Sequence, residues 1–179
     1  MYFPRAHFFK LSRPLLPSAL LIFLLLVGRN SVWAGLPVGW SDADIGAPGL
    51  AGSASDTNGN WIVTGGGADI WNAADQFNFV STSFGSDGSL TAQVTSLQNS
   101  DPGSGWSKAG VMFRNDSSAS AVNVSLLVSA TQGLSFQWRT PSGAQSSQIA
   151  LGGITAPVWL QLNRSGDNFS GNYSADGSN

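Results

Sequence analysis

Polar and apolar residues alternate with a period of two along most of the chain after residue 35, and no window gives a convincing three-four spacing. In "AVNVSLLVSA", Val122, Val124, Leu126, Val128 and Ala130 fall on one side and Asn123, Ser125 and Ser129 on the other. That predicts a strand with one buried face. "GLSFQWRT" repeats the device, with Leu134, Phe136 and Trp138 inward and Ser135, Gln137 and Arg139 outward; "SLTAQVTS" and "KAGVMFRN" alternate likewise. Further strands are predicted at Trp61–Thr64, Asp75–Phe84 and Gln148–Leu151, and "VWLQLNRSGDNFSGNY" reads as a hairpin turning at Ser165, Gly166 and Asp167. About nine short strands with turn signals between them and no helical crossover predict an all-β, antiparallel β-sandwich rather than a parallel sheet.

The first 34 residues follow a different rule. Arg5, Lys10 and Arg13 precede an apolar run from Leu15 to Val27, with small residues at Val32 and Ala34. This order reads as a secretory signal peptide, 1–34, cleaved after Ala34 and leaving one domain, 35–179. An uncleaved anchor fits less well, because Pro17 and Ser18 interrupt a run of about 13 residues where a spanning helix needs about 20. Cleavage would remove four of the eight basic residues and the only histidine, His7, but none of the ten acids, leaving a net charge of −6. Nucleic acid and anionic membrane are then poor partners. The remaining chain has no His, Cys or Glu, so histidine-activated nucleophiles and the usual zinc sites are excluded, and only Asp is left for acid–base work.

"TGGGADIW", 64–71, invites comparison with a phosphate loop, but Asp69 follows the glycines, no lysine occurs until Lys108, and no strand-helix-strand unit surrounds it. The run therefore reads as a tight bend. Asp69 either accepts backbone N–H groups of "IWNAAD" or, with Asp75 and Asp87, offers oxygens to calcium, for which no spaced acidic loop is present.

Four stretches, "GWSDADIGAPGLAGSAS" (39–55), "GGGADIWNAADQFNFV" (65–80), "VTSLQNSDPGSGWSKAGVMFRND" (94–116) and "WLQLNRSGDNFSGNYSADGSN" (159–179), together resemble the concanavalin A-like modules of bacterial secreted proteins related to the β-xylosidase C-terminal-like family. The resemblance implies a jelly-roll lectin/glucanase sandwich, placed beside other extracellular domains or on a cell surface. It also implies a tryptophan and at least two more strands beyond "SADGSN", so the domain is expected to be truncated at its C-terminus.

On the outward parity lie Gln93, Asn123, Gln137, Arg139, Gln161 and Asn163, with Trp159 beside Gln161. Amides donate and accept at once, and an indole offers a flat apolar face, a combination suited to a sugar. Gln93, Asn123, Gln137, Arg139, Trp159 and Gln161 are thus the candidate ligand-binding set, with an ordinary solvated sheet face as the alternative. Trp138 reads as core, Trp61 and Trp71 as closing one core end, and Trp106 as a loop residue that either covers the sandwich end or meets a ligand, the resemblance implying the former. Arg114 and Lys108 are expected to form surface pairs with Asp. Most Asp residues fall in turn-like stretches, and the glutamates of related glucanases are missing. The expected function is a secreted, non-catalytic carbohydrate-binding or accessory module, with a structural or adhesive domain for a protein partner as the alternative and a glycoside hydrolase less favoured. No cofactor is expected beyond the calcium considered above. Five Asn-x-Ser sites, at Asn115, Asn123, Asn163, Asn168 and Asn172, would matter only in a glycosylating host.

Overall fold

A computed structural model describes residues 5–6, 35–98 and 103–178. The expected leader, apart from residues 5–6, and the turn at Asp101 lie outside the described residues. Twelve strands are described: β1 (Arg5–Ala6), β2 (Ser41–Ile45), β3 (Ser53–Thr57), β4 (Asn60–Thr64), β5 (Phe77–Ser83), β6 (Gly88–Val94), β7 (Lys108–Arg114), β8 (Asn123–Ser129), β9 (Leu134–Arg139), β10 (Ser147–Leu151), β11 (Val158–Ser165) and β12 (Asn168–Ser174). The chain is all-β and its strand pairs are antiparallel, with no helix among the described residues.

Seven strands form one sheet in the order β10-β9-β8-β7-β1-β5-β2; three form a second, β12-β11-β6; and β3-β4 is a separate hairpin. The alternation read from sequence explains how the two larger sheets meet. Val111, Phe113, Val124, Leu126, Val128 and Leu134 point from one face of the seven-stranded sheet into a cluster with Leu90, Val158, Leu160 and Leu162 of the three-stranded sheet. Leu160 and Leu162 are fully buried there. The result is sandwich-like, with one contiguous apolar layer between the sheets.

The other face of the seven-stranded sheet departs from expectation, since it is buried as well. β8 is buried at every position, and Asn123, Gln137 and Arg139 keep 3%, 2% and 0% of their surface, whereas a solvated row was expected. The cause is local: Arg139 donates to the carbonyls of Trp71, Asn72 and Ala119, drawing the 68–76 and 115–121 segments over this end of the face. Parity was read correctly, but solvation was not. Conversely, Phe136 and Trp138 are only half-buried, beside a cleft of about 230 Å3 at the rim of the core.

Strands β2 and β3 were not expected. "SDADI" and "SASDT" carry the Asp and Ser typical of turns, yet Asp42 and Asp44 sit within β2, in register with Val80 and Asn78 of β5. Asp44 accepts the Gly52 backbone N–H on both carboxylate oxygens at 3.1 Å, and this fixes the chain between β2 and β3. The β3–β4 hairpin turns at Asn58 and Gly59, whose φ values are +54° and +82°, the pair of positive angles that a two-residue turn of primed type requires.

The glycine run is a bend, as read. Gly67 has φ +130°, and a Cβ there would come within 2.1 Å of the Gln76 carbonyl oxygen, so the 64–68 segment lies directly against the start of β5.

Truncating the centre of the inter-sheet layer tests this architecture. Leu160→Ala is expected to cost about 2–5 kcal/mol, the range for an aliphatic side chain removed from a closed core, measured by chemical denaturation.

Candidate functional site

The candidate residues divide between the two outer faces of the molecule. Gln93, Trp159 and Gln161 come together on the outer face of the three-stranded sheet; Asn123, Gln137 and Arg139 lie on the far face of the seven-stranded sheet. They cannot form one site, because the whole inter-sheet core separates them.

On the three-stranded sheet the register builds a grid. Gln93, Trp159 and Ser174 lie side by side, then Thr91, Gln161 and Asn172, then Ser89, Asn163 and Ser170. Gln161 donates to Thr91 at 3.3 Å and accepts from Asn172 at 3.3 Å, so its amide is aligned from both sides. Asn163 accepts from Ser89 at 2.6 Å and donates to Ser170 at 3.4 Å, making the second row a parallel copy of the first. Every side chain in the grid is uncharged. Gln93 and Asn172 are exposed, and Trp159 is half-buried. Gly177 rests against Trp159: a Cβ there would stand 2.9 Å from the indole. The turn that carries Gly177 is held by Asp176, which accepts from the Ser174 and Ser178 hydroxyls at 2.8 and 2.7 Å. Those bonds, with the Ser178 side chain contributing most, lower the Asp176 carboxyl to about 2 from an ordinary 3.8.

On the opposite side, Asp75 is the centre of a buried ionic group. Its Oδ2 accepts from Arg114 Nη1 at 3.0 Å, from Arg139 Nη1 at 2.8 Å and from Asn123 Nδ2 at 3.4 Å, and its Oδ1 accepts from Arg139 Nη2. The side chains of all three charged residues are fully buried. Arg114 also donates to the carbonyls of Asp116 at 2.8 Å and Ser118 at 2.5 Å, and its guanidinium stands 5.5 Å from the ring centres of both Phe77 and Phe79. Burial pushes the Arg114 guanidinium below its ordinary range, and Asp75 acts against that shift. The expected surface pair for Arg114 is therefore corrected to a buried one. Arg139 and Asn123 are likewise engaged with fixed acceptors, Asp75 and backbone carbonyls, and so hold this group together.

Lys108 does pair with Asp69, at 2.7 Å, but not as the surface pair expected, since its side chain keeps only 5% of its area; it lies 5.8 Å from the Trp71 ring centre and 5.3 Å from that of Trp106. Trp106 thus covers Lys108 while keeping 45% of its surface open. Asp69 also accepts the Ile70 N–H at 2.7 Å, the local capping role expected of it, although no helix follows. Trp61 packs on Trp40, with ring centres 5.4 Å apart, within the hairpin region.

The three carboxylates considered for calcium do not converge. Asp69 answers to Lys108, Asp75 to two arginines, and Asp87 to the Gly166 N–H at 2.8 Å. Among the described residues no group of three or more His, Cys, Asp or Glu stands together.

Two buried polar atoms on β8 and β9 stand outside the ionic group. Ser125 Oγ and Gln137 Oε1 are buried without a hydrogen-bond partner on cross-strand neighbours, while the Gln137 amide donates to Gln148 at 3.1 Å.

No family model, curated protein or solved structure matches this chain.

Two measurements check the electrostatics. Asp75→Asn leaves two buried guanidinia without a counter-charge and is expected to cost about 3–5 kcal/mol in denaturant unfolding. For Asp176, a depressed folded pKa means its contribution is complete above pH 3.8 and is lost as the pH falls towards 2. Ser178→Ala is expected to move its NMR titration midpoint upwards towards 3.8.

Proposed function

We propose that this chain is a secreted, non-catalytic carbohydrate-binding module with a concanavalin A-like jelly-roll fold, acting as an accessory part of a larger extracellular protein. The observation that carries the reading is the grid on the three-stranded sheet, where Trp159 adjoins Gln93 and the prealigned amide of Gln161. A rigid, uncharged array of amides and hydroxyls suits sugar hydroxyls, which both donate and accept, and the indole supplies an apolar patch at one end. Asn163 extends the array by one row, for a span of roughly 13 Å at the ordinary strand rise. That fits a short stretch of a neutral glycan chain. Gln93, Trp159 and Gln161 are the residues proposed to touch it.

What the three aspartates considered for chemistry are doing supports a non-catalytic role. Asp75 is sealed among arginines, and Asp69 and Asp87 are committed to Lys108 and a backbone amide. Glycoside hydrolysis needs two carboxyl groups free to face one bond.

A second reading, a domain that adheres to a protein partner, has one observation in its favour. β10 ends the seven-stranded sheet and exposes Ile149 at 67% and Leu151 at 45%. An apolar edge strand of this kind invites pairing with another chain.

A glycan array followed by calorimetry separates the two. Binding of a neutral oligosaccharide is expected, weakened at least about tenfold, or roughly 1.4 kcal/mol, by Trp159→Ala and by Gln161→Ala, and unchanged by Ile149→Ser. Background signal from both the wild type and Trp159→Ala would remove the sugar reading.

A further inference from the structure

The cleft of about 230 Å3 at the rim of the core has apolar walls and a polar mouth. Phe136 and Trp138 share the inward parity of Leu134, yet both stay half-buried because the cleft lies against them. Their rings stand 5.9 Å apart and inclined at 48°, and Val124 and Phe169 complete the walls. Phe169 packs in turn on the fully buried Phe113, with ring centres 5.8 Å apart, so the cleft ends against the core. Thr140, just past β9, and Asp167, in the turn between β11 and β12, frame the mouth, and both are exposed. Each has a contact within the protein, but a carboxylate has about four lone-pair sites and a hydroxyl both donates and accepts, so each keeps capacity for a further bond.

The charges around the cleft select a neutral occupant. Asp167 at the mouth opposes an anion, and the buried group of Asp75 with two arginines, net positive and bonded through Arg139 beside the cleft, opposes a cation. The space equals about seven waters at ~30 Å3 each, enough for one small ring with its substituents. Aromatic walls take an apolar ring face, while the mouth takes hydroxyl groups.

We propose that this cleft is a second carbohydrate site, which takes the terminal ring of a neutral glycan end-on. The ring lays its C–H face on Trp138 and Phe136 and turns its hydroxyls towards Asp167 and Thr140. Only a chain end enters, because the core closes the cleft behind. The proposal rests on the carbohydrate reading above but uses none of the grid residues: Trp159 lies at the start of β11, and Asp167 beyond its far end.

The probes are the methyl glycosides of glucose, galactose, mannose, xylose and N-acetylglucosamine. They are titrated into the isotope-labelled full chain while the indole N–H signals are followed by NMR, Trp138 and Trp159 being assigned from Trp138→Phe and Trp159→Phe. At least one glycoside is expected to move the Trp138 signal saturably and leave that of Trp159 in place. Its affinity is expected to fall about tenfold in Asp167→Ala, a change in an exposed turn that spares the core. Movement of Trp159 alone would overturn the cleft site and leave the grid standing; movement of neither signal would overturn both. Displacement of every glycoside by a lower concentration of N-acetylphenylalanine amide would also overturn the proposal, assigning the cleft to a protein side chain.

Discussion

One carboxylate with two guanidinia governs the far side of this molecule. Asp75 is fully buried, and so are Arg114 and Arg139, which reach it from β7 and β9. An isolated buried charge is costly enough to prevent folding in that form, so the sequence must deliver all three members at once, along with carbonyls for the remaining donors. It does so with segments distant in sequence. Trp71 and Asn72 supply carbonyls from one segment, and Asp116, Ser118 and Ala119 from another. The group carries a net positive charge, and the rings of Phe77 and Phe79 beside Arg114 help to offset it. Two irregular segments are thereby pinned onto a sheet face that the periodicity alone would leave to solvent.

That pinning sets the two outer faces apart. Among the described residues the three-stranded sheet has no such lid along its grid, apart from the Gly177 turn against Trp159, and its polar side chains align one another instead of an ionic core. One outer face is committed to holding the fold, while the other presents an ordered uncharged surface. The difference arises from residue type: arginine on β7 and β9 with aspartate in the loop before β5, against glutamine, asparagine, serine and threonine on β6, β11 and β12.

The seven longest regular elements were legible because their alternation is strong. β11 follows it through most of its length, with Val158, Leu160 and Leu162 buried and their neighbours half-exposed. β2 and β3 were not legible, since aspartate and serine on solvated strands resemble the composition of turns; Asn58-Gly59 was the signal for a hairpin there. Of the candidate site, Gln93, Trp159 and Gln161 were found by parity and do meet. Asn123, Gln137 and Arg139 share that outward parity but lie on the other sheet, and period-two reasoning has no means of distinguishing two outer faces or of foreseeing a loop folded over one of them. The ionic group required knowing that Asp75, Arg114 and Arg139 converge, which no local window contains.

The same group ties β5 to the rest of the sheet from its outer face. Phe79 packs with Met112, and the rings of Phe77 and Phe79 stand beside Arg114, so the joint between β5 and β7 carries side-chain packing as well as the pairing of β1. Weakening Asp75 would therefore loosen the outer face of that joint before it disturbed the core between the sheets, because Leu160, Leu162 and Phe113 make their contacts on the opposite side.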